Sequence, residues 1–153
     1  DFVSEAVANH PHGSDVSGLL LLQRCNGHIL SLVDALHGYV GELSSLGETT
    51  GQDKAMCLSM TETLHLLLGL ASEQAMGDDG NRDMLARLTR DRSEVMTRFR
   101  QQIVGTDAPS NATRESLFVA TGLFERIVWL VGQLSSDLGD IHRNDPDAAG
   151  AAR

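Results

Sequence analysis

The stretch SLFVATGLFERIVWLVGQLSSDLGDI, residues 116–141, decides the fold. Within it Leu117, Ala120, Phe124, Ile127, Val131, Leu134, Leu138 and Ile141 follow one another at spacings of 3, 4, 3, 4, 3, 4, 3. A strand would alternate every second residue. This spacing instead lays an unbroken apolar seam along one side of a helix. With Leu117 at position a of the repeat, Trp129 falls at f, opposite the seam. It is the only Trp in a chain that is 4% aromatic. A large aromatic turned from the core calls for a covering surface. Gly122 and Gly132 on the same side leave room for another helix, and Glu125 and Arg126 lie beside them. Gly122, Glu125, Arg126, Trp129 and Gly132 are therefore the candidate interface, with a second copy or another domain as partner. The competing reading covers Trp129 with the N-terminal segment of its own chain.

Three more helical patterns precede this one. Ser14 or Asp15 is placed to cap a helix that runs to about Leu46, because a short side-chain oxygen accepts a free backbone N–H there. Its stripe reads Leu22, Cys25, Ile29, Leu32, Leu36, Tyr39/Val40, Leu43. A second helix is expected over about 52–76, with Met56, Met60, Leu64, Leu67 and Ala71 inside. A third is expected over about 80–104, with Leu85, Leu88, Val95, Phe99 and Ile103 facing in. The breakers GETTGQ (47–52), GDDGN (77–81) and GTDAPSN (105–111) separate them. Ser110 or Asn111 is the expected cap of the last helix, and Asn111-Ala112-Thr113 reads as part of that cap rather than as a glycan site. Short connections imply antiparallel neighbours. The expected fold is all-α, an up-down antiparallel four-helix bundle over 14–143. Residues 1–13 form a linker or a short N-terminal helix, and 144–153 a disordered tail.

Composition narrows the function. Twelve basic against 21 acidic side chains give a net charge of −9. Such a chain is a poor nucleic-acid binder, since phosphate contacts dominate that affinity. No run of about 18 apolar residues occurs, as a membrane span needs; the longest apolar block is GLLLLQ (18–23). Cys25 and Cys57 have no zinc spacing and read as buried free thiols.

Metal-binding spacings are present but face the wrong way. Asp34-Ala35-Leu36-His37 and Glu62-Thr63-Leu64-His65 are i,i+3 pairs of the kind that di-iron bundles turn inward. The apolar stripes run through Leu36 and Leu64, which puts Asp34, His37, Glu62 and His65 off the core, on solvated faces. His10 and His12 in HPH are two histidines in a loop. There is no phosphate-cradling Gly-rich loop, no HExxH and no nucleophile elbow. No enzyme activity and no cofactor are expected. Arg82, Arg87, Arg90, Arg92, Arg98 and Arg100 concentrate half of the basic residues in one segment. That segment is suited to docking an acidic partner or to ion pairing with Asp83, Asp91 and Glu94.

Two blocks carry a resemblance. LTRDRSEVMTRFRQQ (88–102), through Arg92, Ser93, Met96 and Arg100, is one. SLFVATGLFERIVWLVGQL (116–134), through Thr121, Leu123, Phe124, Glu125, Arg126, Ile127, Val128, Trp129 and Leu130, is the other. Together they resemble the soluble C-terminal region of bacterial sodium/phosphate cotransporter family proteins. That region carries a PhoU-like helical domain on the cytoplasmic side of a membrane domain. The resemblance implies a regulatory or accessory domain whose partner is the membrane domain of the same transporter, at the bacterial inner membrane. PhoU proteins often bind metal through repeated acidic motifs. This chain has only Asp79-xxx-Asp83, without a tandem partner. The other reading of the pattern is the ligand-binding helical bundle of a bacterial sensor or chemoreceptor.

Overall fold

In the computed structural model the described residues are 13–46, 51–90, 93–105 and 110–144. They form five α-helices: α1 Gly13–Ser45, α2 Gly51–Ala75, α3 Arg82–Thr89, α4 Ser93–Gly105 and α5 Asn111–Asn144. One 3₁₀ turn, Asp79–Asn81, leads into α3. No strand occurs among the described residues. Residues 1–12 with His10 and His12, the tail after Asn144, and Asp91 and Arg92 lie outside them.

The helix ends follow from local chemistry. At the start of α5 the Ser110 hydroxyl accepts the Thr113 N–H at 3.1 Å, the expected cap. Gly77, at φ +95°, closes α2. Its N–H reaches Gln74 O at 3.0 Å and the Asp78 N–H reaches Glu73 O at 3.1 Å, the paired bonds of a left-handed helix stop. Asp78 then accepts the Gly80 N–H at 2.9 Å, tightening the turn. The side chains of Ser14 and Asp15 lie outside the described ones.

Every other helix leans on α5. The most extensive contact is with α1, which runs antiparallel to it: Arg24 meets Asp137, Gly38 meets Leu123 and Ser45 meets Ser116. Tyr39 reaches Thr61 of α2 at 3.2 Å. Gln74 of α2 and Ser135 of α5 exchange two buried bonds, 2.9 Å to the Ser135 carbonyl and 2.6 Å from its hydroxyl. Such a mutually satisfied pair fixes register without leaving a polar atom stranded. Along α3 and α4, Thr89 lies on Gly132, Phe99 on Phe124 and Arg100 on Glu125, so these helices also run antiparallel to α5.

Three expectations are corrected. The third helix is not continuous over about 80–104. Arg90 is extended at φ −69° and ψ 166°, which ends α3. Just before it, the Thr89 hydroxyl donates to Leu85 O at 2.9 Å, a back-bond that competes with helix continuation. On α1, Cys25, Leu32 and Tyr39 are buried, joined by Ala35 and by Leu46 just past the helix end, whereas Leu22, Ile29 and Val40 are exposed. The α5 seam is buried from Leu117 to Val131, but Leu134, Leu138 and Ile141 are only half-buried. There α1 and α3 approach from the flanks, and Val128, Ser135, Asp137 and Gly139 are enclosed instead. The α2 stripe of Met56, Met60, Leu64, Leu67 and Ala71 is buried as expected.

By length and composition α2 and α5 are each apolar enough to cross a membrane, with mean hydropathies of 1.3 and 1.4 over their most apolar windows. The core accounts for much of this in α5, half of whose window is enclosed.

Candidate interaction face

Because α5 is clasped by the other helices, little of it meets solvent. Its exposed positions between Glu115 and Ser136 are Phe118, Val119, Gly122, Arg126 and Trp129. These recur every three or four residues and form one outward stripe. Trp129 is 56% exposed at its centre. The His28 ring meets its ring edge-on, with centroids 6.2 Å apart. Edge-to-face aromatic pairs of this kind are favourable beyond simple burial. His28 in turn places Nδ1 3.0 Å from Asp137 Oδ2.

Asp137 anchors this side of the molecule. Its residue is 2% exposed, yet it carries a carboxylate, which needs charged or polar partners once removed from water. Arg24 and His28, one turn apart on α1, supply them. The hydrogen bond to Asp137 pushes the Arg24 guanidinium further above its ordinary range. Arg24 also lies 3.9 Å from Asp140. The chain Asp137–His28–Trp129 thus ties α1 to α5 and orients the indole. Sequence reading missed Asp137; its signal was a carboxylate within an otherwise apolar and small-residue stretch.

The five expected interface residues divide. Gly122, Arg126 and Trp129 lie on the outward stripe, and a Cβ built on Gly122 meets nothing within 4 Å. Glu125 and Gly132 also make contacts within the chain itself. Arg100 of α4 holds Glu125 in an ion pair. A Cβ on Gly132 would stand 2.9 Å from Thr89 Oγ1 and 3.1 Å from Thr89 Cβ. The glycine does permit close helix approach, but the helix is α3. Phe118 and Val119 extend the stripe and were not anticipated.

The metal candidates are spread over exposed positions of two helices. Asp34 and His37 lie on α1, and Glu62 and His65 on α2. No group of three or more metal-ligating side chains occurs among the described residues. Both cysteines are free; Cys25 is buried and Cys57 half-buried. Burial pushes both thiols up, away from the reactive thiolate.

Comparison with protein-family models, with curated proteins and with solved structures returned no match.

Proposed function

We propose that this chain is a PhoU-like accessory domain that regulates a sodium-dependent phosphate transporter through protein contact. In this reading α3 and α4 together form one arm of an up-down antiparallel four-helix bundle on the cytoplasmic side of the bacterial inner membrane. The outward stripe of α5 seats a helix of the transporter's membrane domain. The single observation that carries the reading is Trp129, 56% exposed, oriented by His28 and standing beside the open surface at Gly122. Held aromatics of this kind dominate binding energy at interface centres. Arg126 alongside sets orientation more than affinity. The two blocks that carry the transporter resemblance also pack on one another, through Thr89–Gly132 and Phe99–Phe124.

The test has two steps. The full reading frame is examined first. About eight hydrophobic segments upstream are expected, whereas two flanking membrane helices would turn the reading to a sensor. Sodium-dependent phosphate uptake is then measured in cells carrying the full-length protein with and without Trp129→Ala. The variant is expected at wild-type abundance with altered control of uptake by external phosphate. Identical uptake at every phosphate level would refute the assignment.

A further inference from the structure

Helix α1 carries two apolar faces, and among the described residues only one is fully enclosed. The face turned inward is built on Cys25, Leu32, Ala35 and Tyr39. The second runs Leu19, Leu22, Asn26, Ile29, Val33, Leu36, Val40, Leu43, again at spacings of 3, 4, 3, 4, 3, 4, 3. Four of its side chains are well exposed: Leu22 at 57%, Ile29 at 45%, Val33 at 57% and Val40 at 59%. A surface helix normally has one apolar stripe and an opposite charged face. Here Leu36 and Leu43 lean partly on the core, and Leu22, Ile29, Val33 and Val40 remain exposed on the seam among the described residues.

The identities along the seam name its partner. With Leu19 at position a, the a sites are Leu19, Asn26, Val33 and Val40, and the d sites are Leu22, Ile29, Leu36 and Leu43. β-branched residues at a with mainly Leu at d favour two-stranded parallel pairing, and one polar Asn at an a site fixes register. We propose that this face of α1 pairs with the same face of a second copy, in parallel and in register, with Asn26 against the partner's Asn26. In an antiparallel pair centred on the seam, Asn26 would stand level with Leu36 and its amide would lose its partners. In the parallel pair the two amides donate to and accept from each other.

Charge selects a second copy over other occupants. Helix α1 has only Asp15, Arg24, Asp34 and Glu42 as charged side chains. None falls at a, d or the two positions that flank them; the flanks are Gln23, Leu30 and His37 on one side and Cys25, Leu32 and Tyr39 on the other. Interface centres are depleted in charge in the same way. The molecule carries −9 overall, so a charge-free strip is where two copies meet with least repulsion. It offers no charge for an oppositely charged protein to read. A lipid surface wants Lys and Arg bordering the apolar face, and Arg24 is the only such residue on α1.

Size sets the expected strength. From Leu19 to Leu43 the seam is about 36 Å long. One helix diameter wide, it covers roughly 360 Å² of projected face per copy, below the ~800 Å² per partner of a standard interface. The dimer is therefore expected to be reversible, with monomer and dimer exchanging in the micromolar range. This proposal stands apart from the transporter reading, since it uses α1 and not the α5 stripe.

Sedimentation equilibrium from about 1 to 300 µM tests it on the wild type and on Val33→Glu, Asp34→Lys and Trp129→Ala, with helicity checked by circular dichroism. Val33 is exposed, so its replacement leaves the fold intact. A concentration-dependent dimer is expected in the wild type, in Asp34→Lys and in Trp129→Ala, weakened by about tenfold or more in Val33→Glu. Orientation is read separately: Val33→Cys, treated with oxidised glutathione, is expected to give a dimer joined through residue 33. Wild type monomeric throughout overturns the proposal. A dimer unaffected by Val33→Glu, or lost in Trp129→Ala instead, places the interface elsewhere and also overturns it. A dimer without the residue-33 cross-link overturns the parallel register.

Discussion

Gly122 and Gly132 lie ten residues apart on α5, and the same substitution should have opposite consequences at the two. Replacing a helical glycine by alanine removes backbone freedom from the unfolded chain and stabilises by about 1 kcal/mol. At Gly122 nothing opposes that gain, because the new methyl meets nothing within 4 Å. At Gly132 the methyl arrives 2.9 Å from Thr89 Oγ1 and 3.1 Å from Thr89 Cβ. Thr89 cannot yield by swinging away. Its hydroxyl is held on Leu85 O at 2.9 Å, and its backbone ends α3. Forcing a methyl into such a contact costs about 1–3 kcal/mol. Gly132→Ala should thus lie between neutral and about 2 kcal/mol destabilised. The gap between the two variants is then about 1–3 kcal/mol, or roughly 0.5–1.5 M in urea midpoint for a slope near 2 kcal/mol/M. Urea melts followed by helical circular dichroism read this directly. Adding Thr89→Ala to Gly132→Ala removes the nearest atom and should restore part of the loss, a coupling that a double-mutant cycle isolates. Equal midpoints for Gly122→Ala and Gly132→Ala would mean that α3 does not approach α5 at this point.

Two further outcomes follow from the core. Ile127 is fully enclosed while Leu134 is half-buried, so Ile127→Ala should cost about 2–5 kcal/mol and Leu134→Ala clearly less, compared by urea midpoints. Burial pushes the Tyr39 phenol above its ordinary 10.0. Thr61 donates its only hydroxyl proton to Cys57 O, leaving Tyr39 as donor to Thr61. As pH rises past 10 the unfolded chain loses the phenolic proton before the folded chain does, so stability present below pH 10 is lost above it. Tyr39→Phe should flatten that decline in midpoints measured from pH 9 to 11; a parallel decline would mean that Tyr39 is not the group responsible. The raised thiols of Cys25 and Cys57 act in the same direction in both proteins and cancel in the comparison.

What could be read from the residues depended on whether one physical cause acted alone. On α2 a single apolar stripe faces in, and Met56 through Ala71 were placed correctly from spacing. The Ser110 cap was legible for the same reason: a hydroxyl before a helix start has one use. On α1 two seams share the helix, and periodicity fits both. The choice is made by α5, through Asp137 on Arg24 and His28 and through Leu123 on Gly38. The interruption between α3 and α4 was invisible because Leu85, Met96 and Ile103 keep one helical phase across it and all are buried. A glycine at 132 reads as a point of close helix approach, but spacing cannot say that Thr89 of α3 is what lies against it. Trp129 was placed outside the core, while the His28 ring that holds it there comes from another helix, beyond the reach of any local pattern.

The central position of α5 explains why two unlike faces remain. Surrounding one helix with the other four consumes its apolar residues on most sides and leaves, between Glu115 and Ser136, the stripe of Phe118, Val119, Gly122, Arg126 and Trp129. For α1 the same arrangement covers the side toward α5 and, among the described residues, leaves Leu22, Ile29, Val33 and Val40 of the heptad seam exposed, while Leu36 and Leu43 lean partly on the core. The two faces differ in what they can recognise. The α5 stripe is asymmetric, with one anchored aromatic, one cation and open surface at a glycine, features that suit a different partner in one fixed orientation. The α1 seam is self-complementary and without charge. Salt separates them. A contact oriented by Arg126 weakens as ionic strength screens it, whereas pairing along Leu22, Ile29, Val33 and Val40 has no charge to screen. Raising salt shields the repulsion between two molecules of net charge −9, so the seam pairing should hold or tighten under conditions that loosen the α5 contact.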